Sequence, residues 1–245
     1  MQRLLTSMVS NPKTRKQLDA YGLEGVILHL LAADAAYKAL GKRGTVCPAA
    51  RLNRCAAACL VNQGRGRMRS VYQSRLRKTR LFIEDRAAFL AQLRSELRSL
   101  ERRAERKGRR AVARLDGTSD LGLAFQLAPE FPGVQFYDYT KVYRRLLRAR
   151  PVNHHLTFSL GAGNADQARA ALGLGFNVTA VFRARKSDEL PTFLGDAGLD
   201  GWESYRDVPV IDGDAHDFRF LDPAGVIVGL RSKGSAFHDV GGFVQ

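Results

Sequence analysis

Short apolar runs alternate with polar clusters and helix-like segments over the second half of the chain. Runs of roughly four to eight residues that are rich in β-branched and aromatic side chains are typical of β-strands. Because helix-like segments separate these runs, the pattern favours parallel strands joined by crossover connections. Five strands are predicted in this way, at residues 111–118, 134–140, 154–160, 177–183 and 208–214.

The first half of the chain holds two further apolar patterns. Residues 25–33, GVILHLLAA, form an apolar run that fits either a sixth strand or a buried helix. Over residues 84–108 the leucines recur at three and four residues, which predicts one long helix with a single apolar stripe. Gly108 is the residue type that ends such a helix. The whole pattern predicts an α/β fold with a long peripheral helix.

The length and the apolar content set the number of domains. With 245 residues, 45% of them apolar, the chain can bury one sizeable core, so we predict a single domain over residues 1–245. Its first part, residues 1–110, is basic and contains the long helix, and residues 111–245 contain the β/α repeats. No apolar stretch approaches the roughly 20 residues that cross a bilayer, which predicts a cytoplasmic protein without a membrane partner.

The formal net charge of +15 is distributed unevenly along the chain. Residues 1–110 carry 25 Lys and Arg against 8 Asp and Glu, whereas residues 111–245 carry 14 against 16. A basic half of this kind is expected to meet a polyanion, because neutralised phosphates release condensed counterions. The charge therefore favours a nucleic acid or a phosphate-bearing substrate as partner, and part of it is equally compatible with solvated helix surfaces.

All three cysteines, Cys47, Cys55 and Cys59, lie in one loop at residues 45–67. Three thiols cannot all pair with one another, so metal binding explains them better than a disulfide framework does. Three thiolates leave a four-coordinate centre one ligand short, which suits a 4Fe-4S cluster with one iron open to a substrate. A zinc site completed by a distant histidine is a second interpretation, and cysteines packed as small apolar side chains are a third.

Basic residues are most concentrated directly after the cysteines, at residues 64–80. Gly64 and Gly66 permit close approach of a ligand to the backbone, and an aromatic ring in this run is able to stack on a base. The residues predicted to contact a nucleic acid are Arg65, Arg67, Arg69, Tyr72, Arg75, Arg77, Lys78 and Arg80.

Several motifs occur together between Asn11 and the C-terminus. They are CPAARLNRCAAACL, GRGR, RKTRLF, RLDGTSD, FYDYTK, HHLTFS, DGDAHDFRFLD and GLRSKG. In this combination the sequence resembles the phage protein family called gene product eighty-eight. Membership implies a phage-encoded protein in the host cytoplasm, and it implies no particular activity.

A second resemblance rests on the cysteine number and the β/α repeats alone. Radical S-adenosylmethionine (SAM) enzymes are similar in carrying three cysteines after the first strand of a partial barrel of six β/α units. This resemblance implies a partial (β/α)6 TIM-like barrel that holds an iron-sulfur loop, with SAM as cosubstrate. The spacing departs from theirs, because seven residues separate Cys47 from Cys55 and three separate Cys55 from Cys59.

The resemblance also implies where a cofactor binds, because such barrels place their active groups at the carboxyl ends of the strands. The turn DGTSD, residues 116–120, would offer backbone groups to the methionine moiety, and Ser159 would bond a ribose hydroxyl. The same turn equally suits a helix N-cap. The residues predicted to bind the cofactor are Asp116, Gly117, Thr118, Ser119, Asp120, Thr157 and Ser159.

Further polar side chains at predicted strand ends are candidates for catalysis. A histidine flanked by carboxylates is suited to proton transfer near pH 7, and a lysine is suited to holding a carboxylate. The closely spaced acids also fit a second metal site or a simple turn. The catalytic candidates are Asp138, Lys141, Asp212, Asp214 and His216.

Together these features predict a phage iron-sulfur protein that acts as a radical-SAM-like enzyme on a nucleic acid or a nucleotide. A separate reductant protein is then expected as its electron donor. The alternative is a non-enzymatic nucleic-acid-binding protein in which a structural zinc or iron-sulfur site braces the arginine-rich loop.

Overall fold

The computed structural model of the chain describes residues 3–56, 58–59, 61 and 64–245, apart from the side chain of Arg65. The fold is mixed α/β, as predicted, with one mostly parallel sheet. The strands are β1 (Leu5–Ser7), β2 (Leu23–Leu28), β3 (Arg110–Arg114), β4 (Val134–Thr140), β5 (His154–Ser159), β6 (Val178–Phe182), β7 (Val210–Asp212) and β8 (Ile227–Arg231). The helices are α1 (Pro12–Ala20), α2 (Ala35–Ala39), α3 (Arg69–Glu84), α4 (Arg86–Arg106), α5 (Leu123–Leu127) and α6 (Ala165–Gly173). Short 3-10 turns lie at Met8–Ser10, Gly64–Arg67, Ala128–Glu130, Tyr143–Arg145, Leu194–Ala197, Glu203–Tyr205, Arg219–Leu221 and Gly234–His238.

The order of strands in the sheet is β1-β2-β3-β4-β5-β6-β8-β7, so β2 to β6 follow one another as they do in the chain. β1 pairs antiparallel with β2, whereas the pairs β2–β3, β3–β4, β5–β6, β6–β8 and β7–β8 are parallel. Among the described residues, these pairings do not close the sheet into a ring.

Every predicted strand is present, and the apolar run at residues 25–33 contributes β2 rather than a helix. Two strands, β1 and β8, are not predicted by the pattern. β8 takes the place next to β6, and the strand predicted at residues 208–214 is only the three-residue edge strand β7. Gly213 directly follows β7, and a Cβ at that position would lie 2.6 Å from the Val228 side chain, so this close approach requires glycine.

The leucine-striped segment forms its own helix, α4, directly after α3. Asp85 separates the two helices, and its carboxylate caps α4 by accepting a hydrogen bond from the Ala88 N–H at 2.8 Å. Gly108 follows the end of α4 in the left-handed conformation, as predicted. None of the helices in the described ranges has the length and the apolar character needed to cross a membrane.

The chain contains two compact units, which we describe separately. Unit 1 comprises Met1–Pro48, Arg67–Asp138 and Ala149–His155, and unit 2 comprises Ala49–Gly66, Tyr139–Arg148 and Leu156–Gln245. The prediction of a single domain stays a prediction.

In unit 1, the helices α4 and α5 cover one face of the strands. Their buried side chains pack on Val26, Ala111, Ala113, Val134 and Phe136, which point to this face because side chains alternate along a strand. The opposite face meets α1 near the start of the strands, since a Cβ on Gly25 would lie 2.9 Å from Leu18. In unit 2, the buried core residues on the strands include Phe158, Val178, Ala180, Ile227 and Val228.

Candidate functional site

Cys47 lies at the carboxyl ends of β2 and β3 in unit 1. Its Sγ atom accepts a hydrogen bond from the N–H of Ala33 at 3.4 Å and donates one to the carbonyl oxygen of Thr118 at 3.9 Å. The preceding residue, Val46, accepts a hydrogen bond from the N–H of Asp120 at 2.8 Å. The first thiol is therefore held between the loop after β2 and the predicted cofactor-binding turn after β3.

Asp116 fixes the shape of that turn. Its buried carboxylate accepts hydrogen bonds from the Ser119 hydroxyl at 2.6 Å and from the N–H groups of Leu121 at 2.9 Å and Gly122 at 2.7 Å. Burial raises the pKa of Asp116, and the nearby carboxylate of Asp138 raises this pKa further. Because its carboxylate is occupied within the turn, Asp116 shapes the turn.

Gly117 and Thr118 attach the same turn to β2. A Cβ on Gly117 would lie 2.6 Å from the carbonyl oxygen of Leu28, so this close approach requires glycine. The Thr118 hydroxyl donates a hydrogen bond to the carbonyl oxygen of Leu30 at 2.6 Å. The structure thus brings the predicted turn and the first predicted metal ligand together, and the binding of a cofactor there stays a prediction.

Asp138, a catalytic candidate, is buried beneath this turn. Its Oδ1 atom accepts a hydrogen bond from the Asp116 N–H at 2.7 Å, and its Oδ2 atom lies 3.4 Å from Nε2 of His154. The His154 ring packs edge-on against Phe125, with ring centroids 4.9 Å apart. These contacts give Asp138 the geometry of a residue that positions the turn, and a catalytic role for it stays a prediction.

Cys55 and Cys59 belong to unit 2, where the segment before Cys55 packs on the loop after β5. A Cβ on Gly161 would lie 2.9 Å from Oδ1 of the buried Asn53, and a Cβ on Gly163 would lie 2.6 Å from the carbonyl oxygen of Leu52. Both glycines are therefore required by the close approach of the cysteine-bearing segment. This segment lies at the carboxyl end of β5.

Two strained backbone positions flank the thiols. Among the described residues, only Ala33 and Arg54 have a positive φ without being glycine, at 54° and 51° respectively. Ala33 is the residue whose N–H bonds to Cys47, and Arg54 directly precedes Cys55. Left-handed conformations of non-glycine residues cost about 1–3 kcal/mol each and concentrate at functional sites. Both strained positions therefore border the residues that carry the thiols.

Lys141 and Ser159, predicted for catalysis and cofactor binding, meet in unit 2. The Lys141 ammonium donates hydrogen bonds to the Ser159 carbonyl at 3.1 Å, the Ser159 hydroxyl at 2.8 Å and the Leu160 carbonyl at 2.6 Å. It also lies 4.9 Å from the ring centroid of Phe243. Thr157 is fully buried two residues before Ser159 on β5. The lysine charge is thereby held at the carboxyl end of this strand.

The three thiols are not joined in disulfides. Within the described ranges, no three side chains of His, Cys, Asp or Glu gather closely enough to hold a metal ion. The chemistry of Cys47, Cys55 and Cys59 fits a three-thiolate centre, whereas their described arrangement is not that of an assembled one.

The remaining catalytic candidates form two separate groups, Asp212 with Asp214 and His216 by itself. β7 ends at Asp212, so the alternation of side chains along that strand does not extend to Asp214 and His216. Arg231 contacts Asp212 at 2.9 Å and 3.0 Å, and Asp214 accepts from Lys233 at 2.7 Å. Both acids therefore lie in surface ion pairs, which is the geometry of the turn interpretation.

His216 contacts a buried ion pair instead. Its Nε2 atom lies 3.5 Å from Asp222, and the Arg219 guanidinium lies 3.3 Å from the other oxygen of that carboxylate. Burial raises the pKa of Asp222 to about 6, against the lowering effect of Arg219. Burial and the charge of Arg219 lower the pKa of His216. Catalysis by His216 stays a prediction.

The residues predicted to contact a nucleic acid lie on opposite faces of α3 and in the turn before it. The exposed ones are Arg67, Arg69, Tyr72, Arg77 and Arg80, and their contact with a nucleic acid stays a prediction. Arg75 is half-buried and Lys78 is buried, so these two point away from that surface. The side chain of Arg65 lies outside the described part of the chain.

Sequence reasoning missed Asn53, His154 and Ala33, which shape the site without carrying an obvious motif. The sequence carries no distinctive signal for Asn53 or His154, because both lie among other polar residues. The sequence carries no signal for Ala33, because alanine rarely adopts a positive φ.

A protein-family model named Gene product 88 matches residues 3–244. No curated protein and no solved structure matches the chain. Because the matched region covers nearly the whole chain, the protein belongs to the Gene product 88 family of phage proteins.

Proposed function

We propose that this chain is an iron-sulfur protein that performs radical-SAM-like chemistry on a nucleic acid or a nucleotide. The observation that carries the proposal is the position of the thiol loop. It follows β2, the first strand of the parallel series, and precedes the helices α3 and α4 in the chain. In unit 1 it reaches the carboxyl ends of β2 and β3, and in unit 2 the carboxyl end of β5. Active groups of parallel β/α folds are found at this edge.

The strand order supports a partial barrel as the finer description of the sheet. Parallel strands that neighbour each other in chain order, joined by crossovers of one hand, place all helices on the same face. In unit 1, α4 and α5 do share one face of β2, β3 and β4. The opposite face is then the interior of the proposed partial (β/α)6 barrel.

Cys47, Cys55 and Cys59 would hold the cluster in this proposal. A reduced cluster held there would supply the one electron that splits SAM into methionine and the 5′-deoxyadenosyl group that takes a hydrogen atom from the substrate. The N–H of Ala33 bonds to the Cys47 sulfur, an interaction that stabilises a thiolate. The Asp116 carboxylate keeps the turn at residues 116–120 in one conformation, so its backbone groups are oriented in advance.

A second candidate function is non-enzymatic nucleic-acid binding, in which a metal only braces the loop. The observation that favours it is the exposed basic face of α3, which carries Arg69, Arg77 and Arg80 with the exposed ring of Tyr72. A basic stripe with an aromatic side chain suits a phosphate backbone and a stacked base. Both functions share this surface, and they differ in what the cysteines do.

SAM cleavage by the anaerobically reconstituted protein distinguishes the two functions. We expect dithionite and SAM to yield methionine and 5′-deoxyadenosine with the native chain and with the control Ala56→Ser, which adds a hydroxyl at an exposed position of the same loop. The triple variant Cys47→Ser, Cys55→Ser, Cys59→Ser is expected to fold and to form neither product. An iron-loaded native protein that leaves SAM intact, with a triple variant that unfolds, would establish the brace and overturn the enzyme.

A further inference from the structure

One face of the β1–β2–β3 ribbon in unit 1 carries basic side chains that the proposed chemistry does not use. Thr6 pairs with Ile27, and Ile27 pairs with Arg114, so these three residues form one row across the strands. His29 lies just beyond the end of β2, and the charge of Arg114 acts on its imidazole, which places the ring near the side of the ribbon that this row occupies. This side is opposite to the core formed with α4 and α5, because Val26, Ala111 and Ala113 point there.

Helix α3 adds two more basic side chains to this neighbourhood. The N–H of Leu31, just after β2, donates a hydrogen bond to the Thr79 hydroxyl at 2.8 Å, which fixes the buried side of α3 against that loop. Lys78 is the residue before Thr79, and Arg75 lies one helical turn earlier. The Lys78 side chain is 8% exposed, and its ammonium reaches the Thr6 hydroxyl at 3.5 Å.

The charges of the two arginines and of Lys78 act on the His29 imidazole. Burial, followed by the charges of Arg75, Arg114 and Lys78, lowers the pKa of His29 to about 3. Burial likewise lowers the pKa of Lys78, and Glu96 is the carboxylate that opposes this shift. His29 is therefore neutral at physiological pH, and the cationic side chains surround it.

The described part of the chain supplies no carboxylate partner to the Lys78 ammonium, whose side-chain contact is the Thr6 hydroxyl. The buried Nδ1 atom of His29 has no hydrogen-bond partner among the described residues. Glu96 is itself occupied by the N–H groups of Leu4 and Leu5 at 2.8 Å and 2.7 Å. Buried charges are normally paired, because removing them from water is costly. An external anion would satisfy both groups.

We propose that His29, Arg75, Lys78 and Arg114 bind a phosphoryl group of a small ligand. Guanidinium groups match phosphate oxygens in a bidentate geometry, and the ammonium adds a point charge. Neutral His29 donates one ring N–H to the same anion. This site is independent of the thiol loop, and it assigns Arg75 and Lys78 to an interior ligand rather than to the outer surface.

Calorimetric titration of the native chain tests the site with inorganic phosphate, adenosine 5′-monophosphate and adenosine. We expect both phosphate-bearing probes to bind and adenosine to show no binding. Lys78→Met is expected to weaken binding at least about tenfold, because one charged hydrogen bond contributes about 1.5–3 kcal/mol. The control Arg98→Met, at an exposed position of α4 in the same unit, should leave binding unchanged. Equal losses in both variants, or adenosine binding as well as the monophosphate, would overturn the proposal.

The site can also be tested by NMR on the native protein, without a variant that has to fold. Phosphate bound beside His29 adds negative charge, so NMR titration of this imidazole should show a higher pKa with phosphate than with chloride at equal ionic strength. A His29 signal that phosphate leaves unchanged would refute the site.

Discussion

The two units each bury a cluster of charged side chains, and the clusters differ in their internal balance. In unit 2, the fully buried Arg219 faces the carboxylate of Asp222, and His216 lies beside the same carboxylate. In unit 1, Lys78 and His29 lie among arginines, and the nearest opposing carboxylate, Glu96, bonds to backbone N–H groups.

This difference separates a structural element from a binding site. A buried ion pair whose partners both belong to the protein is complete in the folded state, and breaking it leaves one uncompensated charge. A buried cation without such a partner destabilises the folded chain, and the binding of an anion removes this cost. The first arrangement braces the fold of unit 2, and the second prepares unit 1 for a ligand.

Removing Arg219 should have the largest effect on stability. Arg219→Met leaves the Asp222 carboxylate buried without its partner, so we expect the free energy of unfolding to fall by about 3–5 kcal/mol. Urea denaturation measures the change. The control Arg94→Met, which breaks the surface pair with Glu130, should cost less than about 1 kcal/mol. Similar losses in both variants would contradict the brace assigned to unit 2.

The second-largest effect is expected from His29, in the pH dependence of the free energy of unfolding. In the unfolded chain His29 has its ordinary pKa of 6.5, whereas in the folded chain its pKa is lowered to about 3, so between these pH values the unfolded chain binds a proton that the folded chain does not bind. The free energy of unfolding is therefore highest above pH 6.5 and decreases as the pH falls. Between pH 6.5 and 4.5 this contribution amounts to about 2–3 kcal/mol. His29→Gln should show a correspondingly flatter urea-denaturation profile over this range, and an unchanged slope would remove His29 from the buried cationic environment.

Lys78→Met should have a smaller effect of opposite sign to that of Arg219→Met. The substitution replaces a buried ammonium by an apolar group of similar length, so we expect stability in phosphate-free buffer to stay constant or to rise by about 1 kcal/mol. Chemical denaturation decides this point. A loss of about 3 kcal/mol would mean that Lys78 is already matched by a negative charge, and the contrast between the units would disappear.

Arg77→Met should change stability least, by no more than about 0.5 kcal/mol, since its side chain is exposed. If the outer face of α3 meets a nucleic acid, this variant should reduce the salt slope of oligonucleotide binding by about one phosphate contact. Fluorescence anisotropy at several salt concentrations measures the slope. An unchanged slope with weaker binding would show that Arg77 acts without contacting phosphate.

Much of the fold is predictable because its signals are local. The segments at residues 134–140 and 154–160 contain the aromatic and β-branched side chains that are typical of strands, and their bounds agree with β4 and β5 within one residue. β1 is only three residues long, and its pairing with β2 is set by tertiary contacts. β8, with the sequence IVGLR, carries a glycine where a Cβ would meet Val210 and Leu190, so its place beside β6 depends on packing.

The sequence predicts which residues form the site better than it predicts what each of them does. The motif RLDGTSD does form the turn beside Cys47, yet the Asp116 carboxylate serves the turn itself. The sequence predicts that the basic run at residues 64–80 forms one surface. The helical period instead places Lys78 on the buried side of the helix and Arg77 on the exposed side. The basic side chains around His29 come from three separate segments of the chain, so no local sequence pattern predicts that they lie together.

The most direct test of the proposed function is the iron and sulfide content of the anaerobically purified native chain, measured together with its absorption spectrum. The account predicts about four iron and about four sulfide per chain, with broad visible absorption. Both are predicted to be lost in the triple Cys→Ser variant and retained in Ala56→Ser. One equivalent of zinc without sulfide, or a folded protein that binds no metal after reconstitution, would contradict it.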